Sequence, residues 1–180
     1  MDKQMIDLRE VSLQGRILDI GGGGEGVIAR HAGDQVIAID IRLEELLESP
    51  DIGLKIVMDA TELKFLDNTF DVVTCFYSLM YMSEKTVNKC LEEALRVLKP
   101  GGCLWIWDTE MPWEKTADAF VVYLDITLAS GHITPGYGVG WHRGQSYDSI
   151  AGICDKIGFV STQGAGDGKK IFLQAWKKEA

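Results

Sequence analysis

Glycines and aspartates in the first third of the chain are the residues whose spacing most clearly predicts chemistry. Gly21, Gly23 and Gly26 form a GxGxxG motif directly after a short apolar segment. Such a turn lets the backbone approach a ligand closely and directs helix N–H groups at it. The motif fits either a dinucleotide pyrophosphate or the methionine end of S-adenosylmethionine, and close packing without any ligand would use the same glycines.

Three aspartates near the ends of successive apolar segments favour the second ligand. Asp19 lies two residues before the first glycine, where a fixed carboxylate would repel a pyrophosphate and attract an α-ammonium group. Asp40 closes the next segment, where a carboxylate can accept from both hydroxyls of a ribose, although NAD enzymes place an acid there too. Asp59, followed by Ala60, closes the third and can accept from an exocyclic adenine amine.

A sheet that brings strand ends together would position these residues, and the apolar pattern predicts one. Five strands alternate with helical segments and are predicted at 16–20, 35–41, 54–58, 70–76 and 103–107. A helix at 146–157 then precedes strands at 158–160 and 171–176, which form an antiparallel hairpin through the glycine-rich residues 164–168. The fold class is therefore α/β, a Rossmann-like doubly wound sheet that is mostly parallel, with its ligand beyond the carboxyl ends of the strands.

The segment 113–145 departs from this alternation. It is predicted as a helix up to about Ala129 and as irregular chain over the glycine-rich residues 131–140. We interpret it as an insertion near the substrate site, within a single domain that covers residues 1–180.

Four stretches in fixed order make the chain resemble a known family. They are residues 17–26, 38–40, 58–73 and 93–102. In these stretches the chain resembles the class I S-adenosylmethionine-dependent methyltransferases, especially the small-molecule group similar to the ubiquinone and menaquinone C-methyltransferases. The resemblance implies a seven-stranded sheet, S-adenosylmethionine as cofactor and S-adenosylhomocysteine as product.

The resemblance also implies roles for individual residues. Asp19 and the glycines, Gly21, Gly22, Gly23 and Gly26, would lie near the methionine moiety. Asp40 and Ile41 would lie at the ribose, and Asp59 with Ala60 at the adenine. Cys75 and Phe76, at the end of the fourth strand, would line the cofactor pocket.

Two departures from the family concern the substrate side. Only fifteen residues precede the first predicted strand, where relatives usually carry a few dozen that cover the substrate. We therefore expect an open substrate side, or one covered by a second copy or a partner protein. After the fourth strand, residues 77–82 offer no histidine base.

Since a sulfonium is already a good leaving group, alignment and desolvation matter more than a base, and no catalytic residue is assigned. The substrate-pocket candidates are Tyr77, Tyr81 and His142. Further polar or aromatic residues near the predicted site are Asp108, Glu110, His132, Tyr137, Trp141 and Arg143.

Charge and composition disfavour several classes of function. The net charge of −9 disfavours nucleic acid and anionic membrane surfaces as partners. The four cysteines, Cys75, Cys90, Cys103 and Cys154, lack metal-ligand spacing, so we expect buried thiols and no metal. No secretory leader is evident, which predicts a cytoplasmic protein.

The sequence thus favours methyl transfer to a small-molecule acceptor by direct displacement. A non-catalytic S-adenosylmethionine-binding module completed by a partner and an NAD-dependent oxidoreductase are the alternatives.

Overall fold

The computed structural model describes residues 3–180 and contains two β-sheets and four α-helices. The strands are β1 Gln4–Asp7, β2 Ile17–Ile20, β3 Val36–Asp40, β4 Leu54–Val57, β5 Phe70–Phe76, β6 Leu98–Thr109, β7 Ala119–Leu128, β8 Gly131–Ile133, β9 Gly136–Gly140, β10 Ser161–Gly166 and β11 Lys170–Trp176. The helices are α1 Val27–Ala32, α2 Leu43–Glu48, α3 Glu84–Val97 and α4 Tyr147–Ile157. Short 3-10 turns occupy Gly33–Gln35 and Leu79–Tyr81.

The larger sheet has seven strands in the order β10-β11-β6-β5-β2-β3-β4. The five strands from β6 to β4 are parallel, and β11 is antiparallel to both β6 and β10. The predicted doubly wound sheet with an antiparallel C-terminal hairpin is confirmed. All four residues of β2 are buried, as expected for a central parallel strand that is covered on both faces.

Helices α3 and α4 cover one face of the larger sheet. Their apolar residues, among them Leu91, Ala94 and Ile150, join Leu18 and Val73 of the sheet in one core cluster. The Ser83 hydroxyl caps α3 by accepting from the Thr86 N–H. These contacts fix β5 and the residues that follow it against the rest of the sheet.

The smaller sheet and α1 cover the opposite face. Strand β7 pairs with β1 in parallel and with β8 and β9 in antiparallel orientation. Val122, Leu124 and Ile126 of β7 pack in the same cluster as Phe76 and Trp107 of the larger sheet. The interpretation of residues 113–129 as a helix and of 131–140 as irregular was therefore wrong, because alternate residues of β7 are buried with the two-residue period of a strand.

The C-terminal hairpin begins later than expected. Gly158 adopts a left-handed conformation that ends α4, and the strand predicted at 158–160 starts instead at Ser161. Gly164 and Gly166 lie within β10, so the turn is shorter than the predicted 164–168.

Among the residues that the structure describes, no helix is long and apolar enough to cross a membrane.

Candidate functional site

A cavity of about 660 Å³ lies at the carboxyl ends of β2 to β5 and extends to β9. The order β5-β2-β3-β4 brings these strand ends side by side, as predicted for a doubly wound sheet. Most residues predicted for the site line this cavity: Asp19, Gly21, Gly22, Gly23, Asp40, Ile41, Asp59, Ala60, Phe76, Tyr77 and Tyr81.

The glycine turn forms the floor of the cavity. The N–H groups of Gly21 and Gly22 donate to the Ile39 carbonyl at 2.8 and 3.0 Å, so they hold the turn to β3. A Cβ on Gly22 would lie 2.6 Å from Asp19 Oδ2, and one on Gly23 would lie 3.0 Å from Asp40 Oδ2. The glycines therefore keep side chains out of the space between the two carboxylates.

Asp19 is the buried carboxylate of the site, with 2% of its surface exposed. The Thr74 hydroxyl donates to Asp19 Oδ1 at 2.7 Å. Burial raises the pKa of Asp19 to about 7, and the nearby Asp40 carboxylate adds to the rise. A cationic group bound next to Asp19 would relieve both effects.

Asp40 and Asp59 are each oriented by a short turn. Asp40 Oδ1 accepts from the Arg42 N–H at 2.9 Å. Asp59 Oδ1 accepts from the N–H and the hydroxyl of Thr61, both at 2.8 Å, and these bonds lower the pKa of Asp59. Both side chains are thus held as acceptors at the edge of the cavity.

Three tyrosines, Tyr77, Tyr81 and Tyr137, form part of the cavity wall. Tyr77 has a left-handed backbone with φ 50°, and its hydroxyl donates to Gln4 Oε1 at 2.6 Å. Tyr137 of β9 donates to Glu25 Oε2 at 2.9 Å, and its ring centroid lies 6.0 Å from that of Tyr77. Burial raises the pKa of Tyr77 and Tyr137, and it raises the pKa of Tyr81 to about 12. All three hydroxyls therefore stay protonated near neutral pH.

Three of the predicted residues do not line the cavity. Cys75 is fully buried in the core on the side of α3, because adjacent residues of a strand point to opposite faces and Phe76 takes the cavity side. Gly26 precedes α1 with φ 56°, and a Cβ there would lie 2.7 Å from the Pro50 ring, so this glycine serves packing.

His142 lies outside the cavity, in contrast to its prediction as a substrate-pocket residue. Its Nε2 is 2.9 Å from the Met82 carbonyl oxygen and its Nδ1 is 2.8 Å from that of Gly140. Beside it, Arg143 donates to the carbonyls of Met82 and Leu79, each at 2.8 Å. The two side chains therefore fasten the smaller sheet to the turn that follows β5.

The remaining candidates from the sequence have structural contacts. Asp108 is fully buried and accepts from the N–H groups of Leu79 and Thr109, at 2.9 and 2.8 Å. Burial raises its pKa to about 6. Trp141 donates to the Pro112 carbonyl, His132 pairs with Asp125, and Glu110 donates its N–H to the Lys169 carbonyl. These side chains are not part of the cavity wall.

Several cavity residues were not assigned to the site from the sequence. They are Gly24, Glu25, Glu45, Glu48, Met58, Met82, Ser83, Thr86, Gly136 and Gly138, and also Ser78. Tyr137 was named only as part of the insertion. Position after the fourth strand was the one signal that marked Ser78, whereas Glu45 enters the site only because α2 packs against the glycine turn.

The substrate side is partly closed by the chain itself. Gln4 of β1 holds Tyr77, and β9 contributes Gly136, Tyr137 and Gly138 to the wall. The short N-terminal segment, expected to leave this side open, thus takes part in the cover as a strand of the smaller sheet. Cover by a second copy or a partner protein stays a prediction.

Comparisons with known proteins agree with this geometry. Residues 18–106 match the family model described as a methyltransferase domain. The chain is 38% identical over 114 residues to a demethylmenaquinone methyltransferase of Paenarthrobacter aurescens, an alignment that covers 60% of this chain and 44% of that protein. It is 34% identical over 120 residues to the ubiquinone/menaquinone biosynthesis C-methyltransferase UbiE of Paraburkholderia phytofirmans, covering 60% and 49%. The chain therefore spans about half the length of these curated relatives.

Solved structures share the fold. A crystal structure described as an S-adenosylmethionine-dependent methyltransferase of Methanosarcina mazei superposes with a TM-score of 0.62 at 19% identity, covering 93% of this chain and 95% of that one. The matched methyltransferase domain implies S-adenosylmethionine as the cofactor. Residues 18–106 therefore carry a methyltransferase domain, and with its seven-stranded sheet the chain has the fold of the class I S-adenosylmethionine-dependent methyltransferases and is similar to the ubiquinone/menaquinone C-methyltransferases.

Proposed function

We propose that the chain transfers the methyl group of S-adenosylmethionine to a small-molecule acceptor, uncharged or cationic, by direct displacement, with S-adenosylhomocysteine as product. The observation that carries the proposal is the line of three carboxylates, Asp19, Asp40 and Asp59, along one cavity at successive strand ends.

The residues present fit the cofactor. The volume of about 660 Å³ lies within the range usual for small-molecule sites. Asp19 would hold the α-ammonium group, Asp40 with Ile41 the ribose, and Asp59 with Ala60 the adenine amine. The glycine turn leaves room beside Asp19 that any side chain on Gly22 would fill.

The chain's own residues align the acceptor and exclude water. When bound, the cofactor supplies an electrophilic methyl group on a sulfonium leaving group, so that alignment of the nucleophile provides much of the rate. Tyr77 and Tyr137 keep their protons near neutral pH and donate them to Gln4 and Glu25, so they offer the acceptor molecule ring surfaces and do not act as bases. Gln4 and Glu25 hold the two hydroxyls in place.

The charge of the cavity supports an acceptor that is not anionic. Its wall carries one arginine and six carboxylates: Asp19, Glu25, Asp40, Glu45, Glu48 and Asp59. Such a cleft repels anions and attracts cations. The matched relatives are named for quinone biosynthesis, and a planar, uncharged ring would fit the tyrosine wall as one such acceptor.

Transfer of isotope-labelled methyl to a pool of small metabolites tests the proposal. The pool is separated into anionic, neutral and cationic fractions, and the products are identified by mass spectrometry. We expect labelled product from the neutral or cationic fraction and, at limiting cofactor, roughly tenfold less or lower still with Asp40→Ala, whereas the exposed Asp51→Ala serves as a matched control that keeps activity. Labelling confined to the anionic fraction, or cofactor binding without transfer to any fraction, would contradict it.

A further inference from the structure

Ser78 carries the one buried side-chain oxygen or nitrogen in residues 3–180 that has no hydrogen-bond partner. The residue is 7% exposed, and it belongs to the wall of the cavity. A buried hydroxyl without a partner destabilises the fold, since the water that it loses is not replaced. An alanine would fill almost the same volume without that penalty, so a bound ligand is the natural partner for this oxygen.

Ser78 and Asp19 flank the same two glycines. A Cβ on Gly21 would lie 2.5 Å from Ser78 Cβ and 3.2 Å from Ser78 Oγ, while one on Gly22 would lie 2.6 Å from Asp19 Oδ2. The serine therefore lies at the end of the cavity where the amino-acid moiety of the cofactor is assigned, on the side of the turn that follows β5.

The two side chains offer complementary chemistry. An ionised Asp19 can only accept hydrogen bonds, which suits an ammonium group and excludes a carboxylate. A serine hydroxyl both donates and accepts, and it carries no charge. The single arginine of the cavity wall, Arg42, is bound to Glu45 at 2.8 Å and lies next to Asp40, on the ribose side. The end at Ser78 therefore has a neutral donor where a zwitterionic ligand would present its carboxylate.

We propose that the Ser78 hydroxyl donates a hydrogen bond to the carboxylate of the cofactor's amino-acid end, while Asp19 accepts from the ammonium group of the same moiety. This assignment rests on the proposed function. It makes Ser78 a residue that selects ligands with an intact α-amino acid over truncated nucleosides.

Calorimetric titration of the whole chain with three ligands tests the assignment. S-adenosylhomocysteine has both charged groups, its decarboxylated analogue keeps only the ammonium, and 5′-methylthioadenosine lacks both. We expect Ser78→Ala to weaken S-adenosylhomocysteine binding roughly ten- to hundredfold, the effect of losing a hydrogen bond to a charged group. Binding of the other two ligands should stay within about twofold of the wild type.

Thermal unfolding without ligand gives a second readout. Removing an unpartnered hydroxyl should leave the melting temperature of Ser78→Ala unchanged or raised. Ser83→Ala is the matched control, because Ser83 lines the same cavity but its hydroxyl already accepts from the Thr86 N–H. Ser83→Ala should lower the melting temperature. Any loss of binding affinity in this variant should be the same factor for all three ligands.

The possible results separate this assignment from the proposed function. In one contrary result, Ser78→Ala weakens the binding of S-adenosylhomocysteine and of its decarboxylated analogue equally; in another, it leaves both affinities unchanged. Either result would overturn the role of Ser78 and leave the cofactor assignment standing. A folded wild-type chain that binds none of the three ligands would overturn both.

Discussion

Asp19 should make the ligand-free protein less stable as the pH rises from about 4 to about 7. Its folded-state pKa is raised from the ordinary 3.8 to about 7, chiefly by burial. Between these two values the unfolded chain has lost the proton and the folded chain still holds it, so stability falls with increasing pH. Below about pH 4 and above about pH 7 the two states carry the same charge at this residue, and its contribution is constant.

The magnitude follows from the two pKa values. Their difference is about 3 pKa units, and each unit corresponds to about 1.4 kcal/mol, so ionised Asp19 destabilises the fold by about 4 kcal/mol at neutral pH. Asp19→Asn should remove this penalty, because an asparagine oxygen can still accept from Thr74. The variant should match the wild type near pH 4 and exceed its stability by up to about 4 kcal/mol at pH 7.

Urea unfolding followed by tryptophan fluorescence between about pH 4 and pH 8 measures this difference. Asp59→Asn is the matched control with the opposite sign, because turn hydrogen bonds lower the pKa of that exposed carboxylate and stabilise its ionised form. A stability difference between Asp19→Asn and the wild type that does not change with pH would refute the reasoning. So would a loss of stability in Asp19→Asn at neutral pH.

Three further substitutions have expected outcomes. Gly23→Ala places a Cβ 2.4 Å from Glu45 Cβ in α2 and 3.0 Å from Asp40 Oδ2, so it should lose S-adenosylhomocysteine binding in calorimetry and destabilise the fold by about 1–3 kcal/mol. Gly152→Ala, in α4 with open space at its Cβ, should instead stabilise the fold by about 0.5–1 kcal/mol in urea unfolding and leave binding unchanged. Arg143→Lys cannot reproduce the forked hydrogen bonds to the Met82 and Leu79 carbonyls, so amide hydrogen exchange in residues 79–82 should become faster. Unchanged exchange rates would show that the turn after β5 holds without this arginine.

The larger sheet could be predicted from the sequence because its signals are local. Central parallel strands such as β2 and β5 are rich in apolar residues, and β2 runs directly into the glycines at 21–24. The aspartates that end them reach one cavity through the strand order alone. Local pattern and global fold agree in this part of the chain.

The smaller sheet could not be predicted, because its strands lack the usual contrast between faces. In β7 the outward residues Val121 and Tyr123 are apolar as well, which hides the alternation with buried Val122 and Leu124. In β9 glycines occupy the outward positions, and a Cβ on Gly136 would lie 3.1 Å from the Tyr123 ring. Glycine there reflects packing against a neighbouring strand, a contact that no local pattern reveals.

Some site residues could likewise be predicted from local sequence, and others could not. The roles proposed for Asp19, Asp40 and Asp59 depend on strand ends, which the sequence marks. The position of Ser78 against Gly21 and the fastening of the turn by His142 depend on contacts between distant segments. His142 was a reasonable candidate by residue type, and the fold uses it to hold backbone carbonyls outside the cavity.

Calorimetric titration of the purified chain with S-adenosylhomocysteine tests the central claim most directly. Saturable binding is expected, weakened roughly tenfold or more by Asp40→Ala, which removes the carboxylate assigned to the ribose, and unchanged in the exposed Asp51→Ala. A folded wild-type chain that releases no binding heat at any temperature tried, or one that binds equally well without the Asp40 carboxylate, would contradict the account.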